Sequence, residues 1–315
     1  MISVLSVKRI TGNPADGIDN FNRAVFGRLR GEVNYRAGTP WALILGAVDI
    51  VWGNGGVRDA LFLIFKPKRT RYVINWHTVL LKDEGLWRVR TPWLVRRFIF
   101  ERANLIIAVS EFSAASVRRY FPHKRVVTVL NGVDCALFNP IKKDEHYLVK
   151  KYDFSFNKPL VIFVGACVSR KRPELFRALG RACSQAQFLV VGRGGDIESM
   201  PREDVAILFA SAKAFVFPSL NEPSAAVILE AMASGCVPIV SASGGNEEFV
   251  KDGEGGFLIP VGTREKEAFL EKIGLLLNNK NVCHAMSRAA REEAERHSWD
   301  YVAGQYEKYV KEIIF

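Results

Sequence analysis

Cysteine is scarce and scattered in this chain. Five occur in 315 residues, Cys135, Cys167, Cys183, Cys236 and Cys283, and no two form a CxxC pair. The odd number and wide spacing give no support for a zinc site, a dithiol redox motif or a disulfide framework. Small buried fillers in a reducing compartment is the simple reading. No apolar run reaches the ~20 residues of a membrane span. The opening "MISVLSVKRITGNPADG" lacks a basic start, a long apolar stretch and a small-residue cleavage site. It reads as a first strand, and a cytoplasmic protein is the expectation. No DxD carboxylate pair occurs, so nothing calls for a divalent metal. Short repeats and low-complexity tracts are also missing.

What is present is apolar and unevenly charged. Hydrophobic residues make up 49 % of the chain, enough for a sizeable core and against disorder. At 315 residues, two domains are expected. Residues 1–150 hold 24 Lys and Arg against 12 Asp and Glu, whereas 151–315 hold 20 against 21. The net +11 therefore lies wholly in the first half, which should face something anionic.

Short β-branched runs recur along the chain, including "ISVLSV" (2–7), "VDIVWG" (48–53), "RYVINW" (71–76), "NLIIAVS" (104–110), "LVIFVG" (160–165), "AFVFPS" (214–219) and "VPIVSA" (237–242). Helix-like segments separate them. Continuously apolar strands alternating with helices predict an α/β fold with parallel sheets. The charged segment 140–158 lies between Pro140 and Pro159, and a strand series restarts at Leu160. The boundary is placed there: a first domain over 1–150 and a second over 151–315, with a cleft between them.

Ligands of open α/β sheets bind outside the carboxyl ends of the strands, so the segments after each strand matter most. After the first strand, Gly12 and Gly17 flank a turn into a helix starting near Asp16. Backbone can approach a ligand closely there, although an ordinary strand-to-helix turn has the same spacing. After "LVIFVG", Arg170, Lys171 and Arg172 precede Pro173, a residue suited to the first helical position. Cations oppose the dipole of a helix start, and either a bound diphosphate or plain solvation would settle them. After "AFVFPS" comes "NEPSAAVILEAMASG", predicting a helix from about Pro223 to Ser234 with Gly235 as its C-terminal cap. The small Ser224, Ala225 and Ala226 leave first-turn amides open to an anion. Glu222 precedes the helix. Glu230 sits among Val227, Ile228, Leu229 and Met232, where a carboxylate needs a partner. A sugar's vicinal hydroxyls or a nearby Arg or Lys would serve equally. In "SGGNEEFVKDG", Gly244 and Gly245 lead to a further helix start, with Glu247 and Glu248 in its first turn.

Taken together these motifs resemble the retaining GT-B glycosyltransferases of family 4. "FVGACVSRKRPELF" is similar to the family's diphosphate-binding strand, loop and helix. "FVFPSLNEPSAAVILEAMASGCVPIVSASGGNEEFVKDGEGGFLIP" resembles its pair of glutamates separated by seven residues and the sequence that follows. "DGIDNFNRAVFGRL", "NWHTV", "NLIIAVSEFSAASVRRYF" and "VLNGVDCALFNP" match more loosely in the first half. "HSWDYVAGQYEKYV" resembles the closing helix, 298–315, which crosses back to the first domain.

The resemblance implies two Rossmann-like domains facing a cleft. The donor would be a nucleoside-diphosphate sugar, with no cofactor or metal. Lys171, Arg170 and the amides of Ser224, Ala225 and Ala226 would hold the diphosphate. Glu230 would bind the ribose hydroxyls, Glu222 would contact the transferred sugar, and His77 would face it from the first domain. Gly17 would let the first domain's loop close over the phosphates. Two departures stand out: Ala166 occupies a position where the family has Arg, and 193–210 is short by a strand.

The segment 85–104, "GLWRVRTPWLVRRFIFERAN", interleaves Trp87, Trp93 and Phe98 with Arg88, Arg90, Arg96 and Arg97. It fits either an anionic membrane surface, with a lipid or glycan acceptor, or a core-facing helix with a solvated basic side. A peripheral place on the inner membrane face is then an extension of the cytoplasmic expectation. A non-catalytic sugar-nucleotide or glycan-binding module is the alternative function. Nucleic-acid binding ranks last, because no helix-turn-helix, zinc or RNA-binding signature accompanies the charge.

Overall fold

A computed structural model of the chain describes residues 1–7, 17–29, 33–45, 48–80, 93–152 and 155–315. The chain divides into two compact units, Met1–Asn131 with Trp299–Phe315, and Gly132–Ser298.

The first unit runs β1 (Ile2–Ser6), α1 (Gly17–Arg28), β2 (Val33–Ala37), α2 (Ala42–Leu45), β3 (Ile50–Gly53), α3 (Val57–Phe65), β4 (Arg71–Trp76), α4 (Trp93–Glu101), β5 (Leu105–Ala108), α5 (Glu111–Tyr120) and β6 (Val126–Thr128). Its sheet is parallel, in the order β2-β1-β3-β4-β5-β6. Successive residues of a strand face opposite sides. Thus Ile50, Trp52, Val73, Leu105 and Ile107 fill one core layer with Phe21 and Phe26 of α1. Val51, Tyr72, Ile74, Trp76 and Ile106 fill the other with Phe62 of α3 and Phe100 of α4. Burying a side chain of this size is worth roughly 1.5–3 kcal/mol.

The second unit runs α6 (Glu145–Tyr152), β7 (Leu160–Val164), α7 (Pro173–Ala182), β8 (Gln187–Val191), α8 (Arg202–Ser211), β9 (Ala214–Phe217), α9 (Ala226–Ala233), β10 (Val237–Ser241), β11 (Phe257–Ile259), α10 (Glu265–Asn278) and α11 (Lys280–Glu295). The sheet is again parallel, ordered β11-β10-β9-β7-β8. Between β8 and β9 the chain makes one isolated bridge, Val191 to Ile197, and then enters α8.

The final helix, α12 (Trp299–Ile314), belongs to the first unit. Val302, Ala303, Tyr306 and Val310 join the layer beneath α1. The expected boundary at residue 150 shifts to Asn131, because α6 is fastened to α8. Asp204 accepts the Tyr147 hydroxyl at 2.9 Å, the Lys151 ammonium at 2.7 Å and the Tyr152 hydroxyl. Burial pushes the Asp204 carboxyl up, yet these three donors outweigh it and hold it below the ordinary range.

Two strands escape sequence reading. β2 and β11 are both sheet edges, and β2 ("VNYRA") is half polar while β11 has three residues. Edge strands need less apolar content than buried ones, so the run-length signal fails there. The described part of 85–104 turns one side to the core and leaves Leu94, Arg97 and Arg102 exposed. Trp93 and Phe98 pack against the second core layer, and Arg96 is buried with its guanidinium 5.9 Å from the Trp76 ring centroid. Trp87, Arg88 and Arg90 lie outside the described residues. No helix among the described residues is long and apolar enough to cross a membrane.

Candidate active site

In the second unit the chain order reverses at β7. From it β8 lies on one side, while β9, β10 and β11 follow on the other. Loops leaving β7 and β9 at their carboxyl ends are therefore neighbours at a topological switch point, where open α/β sheets bind ligands.

The loop after β7 begins at Gly165, whose φ of +147° lies outside the range favoured by side-chain-bearing residues. A Cβ there would come within 2.7 Å of the Lys171 Nζ. The absence of a side chain is what lets the ammonium fold back onto the strand end. It also stands 5.4 Å from the Phe217 ring centroid, within reach of a cation–π attraction. Burial lowers the pKa of Lys171 from its ordinary value, with the Glu222 carboxylate pulling the other way.

A single 3-10 turn, Ser169–Lys171, carries the basic cluster, and α7 starts at Pro173 as the sequence predicts. The three cations then diverge. Arg170 pairs with Glu222 from the β9 loop. Arg172, at φ 51°, points elsewhere and grips Glu265 with both amino groups, at 2.9 and 2.7 Å. Glu265 also accepts the Ser241 hydroxyl at 2.7 Å. Arg172 is thus a structural clamp between α7 and α10, which leaves Arg170 and Lys171 beside the β7 and β9 loops.

The loop after β9 is held at several points. Leu220 N–H donates to the Arg170 carbonyl at 2.8 Å, and Asn221 N–H donates to Ser243 Oγ at 2.9 Å. Glu222 is buried and bridges to Gly244, and the Gly245 amide donates to the Glu222 carbonyl at 2.7 Å. Gly244 has φ +67°, and a Cβ there would meet the Glu222 carbonyl oxygen at 2.6 Å. Backbone contact this close admits only glycine. The expected helix after Gly244 and Gly245 is a single 3-10 turn, Gly245–Glu248, because this segment serves the Glu222 contact first.

α9 starts at Ala226, three residues later than the predicted Pro223, with Ala225 as N-cap and no side-chain cap bond. Pro223 lies in the approach segment, which is drawn out by the Glu222 bridge to Gly244. First-turn amides of a helix lack intrahelical acceptors, so the uncapped start suits an anion. Glu230 lies further along α9. Its Oε1 accepts from the Arg202 guanidinium at 2.9 Å. Burial pushes its carboxyl up, and Arg202 offsets part of that. Arg202 itself lies 5.3 Å from the Phe138 ring centroid.

In the first unit, His77 follows β4. Its Nε2 lies 2.8 Å from Asn75 Nδ2, and Phe21 of α1 meets its ring edge-on at 4.8 Å. Asn75 Oδ1 accepts the Tyr306 hydroxyl of α12 at 2.9 Å. Gly17 is the first residue of α1, four residues before Phe21. Sequence reading missed Arg202, Glu265, Asn75 and Tyr306. Only Asn75 left a visible trace, as the one amide side chain inside "RYVINW".

Known proteins share parts of this sequence and its fold. The model for glycosyl transferases group 1 matches residues 197–293, and that for Glycosyltransferase Family 4 matches 17–137. Both models describe glycosyltransferases, and they match separate segments of the chain. The Arabidopsis thaliana sulfoquinovosyl transferase SQD2 is 27 % identical over 84 % of this chain and 53 % of its own length. The alpha-maltose-1-phosphate synthase of Mycolicibacterium smegmatis is 28 % identical over 67 % of this chain and 64 % of its own. The chain thus spans about half to two thirds of the length of these curated relatives. Among solved structures, sucrose-phosphate synthase from Thermosynechococcus elongatus superposes with a TM-score of 0.82, covering 99 % of both chains at 18 % identity. Anabaena HepE in complex with UDP-glucose superposes at 0.74, covering 99 % of this chain and all of that one, at 16 % identity. The fold is GT-B.

Proposed function

We propose that this chain transfers a sugar from a nucleoside diphosphate to a hydroxyl acceptor, with retention at the anomeric carbon. The observation that carries the reading is the meeting of Arg170 and Glu222 at the switch point, with Lys171 tucked behind Gly165. The solved complex of HepE with UDP-glucose supports the donor class.

The donor diphosphate would lie against Lys171, Arg170 and the amides at Ser224, Ala225 and Ala226. Its arrival competes with Glu222 for Arg170, which frees the carboxylate to bind the sugar. Glu230 would accept ribose hydroxyls through Oε2, which has no protein partner among the described residues. His77 and Gly17 would act from the first unit, His77 at the sugar and Gly17 at the phosphates. As the bond from the anomeric carbon to the diphosphate breaks, negative charge grows on the leaving oxygen, and the two cations stabilise it. The acceptor hydroxyl attacks on the same face, and its proton passes to that phosphate oxygen. This scheme needs no metal or other cofactor. The acceptor is a glycan or a lipid-linked hydroxyl.

A thermal-shift panel of nucleoside diphosphates and their sugars tests the donor site. A ligand at a hundredfold excess over its Kd stabilises by about 2.7 kcal/mol, a readable shift. Release of nucleoside diphosphate in the presence of glycan and lipid acceptors then tests turnover. No shift with any nucleotide would overturn the donor site, and a shift without turnover would favour a binding module.

A further inference from the structure

The outer side of α3 is apolar. Phe62 and Leu63 face the core, as a helix on a sheet requires. Yet Val57, Leu61, Ile64 and Phe65, spaced i, i+4, i+7 and i+8, form a second apolar stripe on the opposite side. Their exposures are 48, 52, 65 and 37 %. Trp41, 62 % exposed, extends the stripe, its ring 5.3 Å from that of Phe65. A helix apolar on both sides is ordinarily buried, and contiguous exposed patches mark interaction sites.

Among the described residues, the exposed charges of α3 and of the segment just after it are of one sign. Arg58, Lys68 and Arg69 are exposed beside or just beyond α3. The only acid of α3, Asp59, is turned inward, accepting the Gly55 amide at 2.7 Å and the Tyr72 hydroxyl at 2.6 Å. Asp49 is occupied by the Ser3 amide at 2.8 Å. Two copies meeting through this face would bring Arg58, Lys68 and Arg69 of each together, with no exposed acid of α3 to answer them. An anionic bilayer supplies both what the stripe needs and what the cations need. The aliphatic side chains and the indole enter the headgroup boundary, and the cations meet lipid phosphates.

We propose that the outer face of α3, with Trp41, docks on an anionic lipid surface. This relocates the membrane contact expected at 85–104, whose described aromatic residues, Trp93 and Phe98, pack against the core instead. It does not depend on the reaction assigned above.

The test is flotation of the full chain with vesicles. Phosphatidylcholine vesicles should leave the protein behind. Vesicles with roughly a third phosphatidylglycerol should carry it, less so as salt rises past the point where the Debye length falls to about 8 Å. The double variant Leu61→Ser, Ile64→Ser removes side chains that are more than half exposed, so it should still fold and melt cooperatively. Its partition should fall about tenfold or more. Charge reversal at Lys68 and Arg69 should abolish the preference for anionic vesicles. Failure of the parent chain to float, or flotation untouched by the double variant, would overturn the proposal. So would a stable dimer in sedimentation that the same variant dissolves.

Discussion

The Tyr306 hydroxyl donates to Asn75 Oδ1 at 2.9 Å, linking the last helix to the centre of the first sheet. The same amide lies against the imidazole, with Asn75 Nδ2 2.8 Å from His77 Nε2. Replacing Tyr306 with Phe removes the donor and leaves a fully buried amide oxygen unpaired. A loss of about 1–3 kcal/mol is expected in urea unfolding. Under the proposed role of His77, kcat should fall and its pH profile should move, whereas KM for the donor should hold. An unmoved pH profile would reduce the contact to a structural one.

Glu230 distinguishes a ribose site from a plain ion pair. Glu230→Gln keeps the shape of the side chain and removes its charge. As part of the donor site, it should weaken nucleoside diphosphate binding about tenfold, a loss near 1.4 kcal/mol. Because burial raises the Glu230 pKa, donor affinity of the parent should fail on acidification at a higher pH than an ordinary glutamate would give. The Gln variant should lack that limb. Titration calorimetry against pH reads both. Lost stability with unchanged affinity would mark the Arg202 contact as purely structural.

Lys171 and Glu222 should separate into binding and turnover. Lys171→Ala removes a cation aimed at the diphosphate, so the thermal shift given by a nucleoside diphosphate should shrink or vanish. Glu222→Gln should retain that shift and abolish sugar transfer, losing about a hundredfold or more in kcat. Normal turnover in the Gln variant would rule out the role given to Glu222.

Asp59 gives the fold a pH signature. Burial raises its carboxyl to about 6, against the hydrogen bonds from Tyr72 and Gly55. The folded chain therefore holds this proton in a window where the unfolded chain has released it. The stabilisation is complete below about 4 and is lost as pH rises through about 6. At about 1.4 kcal/mol per pKa unit, the effect is at most roughly 3 kcal/mol. Asp59→Asn should flatten the fall in melting temperature between these limits relative to the parent. Identical pH slopes for the two proteins would contradict the assignment.

Much of this was readable from residues in order. The buried strands announced themselves as β-branched runs, because a strand covered on both faces must be apolar throughout. Their carboxyl ends located Lys171, Glu222 and the start of α9, since the chain must turn there and a ligand can reach its backbone. Pro173 marked α7 to the residue, as its fixed φ suits a first helical position.

Pairing was not readable. Arg170, Lys171 and Arg172 look alike in sequence, yet one meets Glu222, one folds onto Gly165 and one clasps Glu265, 93 positions away. Glu230 carried a need for a partner, but Arg202 became that partner only when α8 and α9 packed together. The same holds for α6, whose local charge read as a linker until Asp204 drew in three donors. Local sequence sets periodicity and turn chemistry, which act over a few residues. Which charge answers which depends on distances that exist only after the sheets assemble.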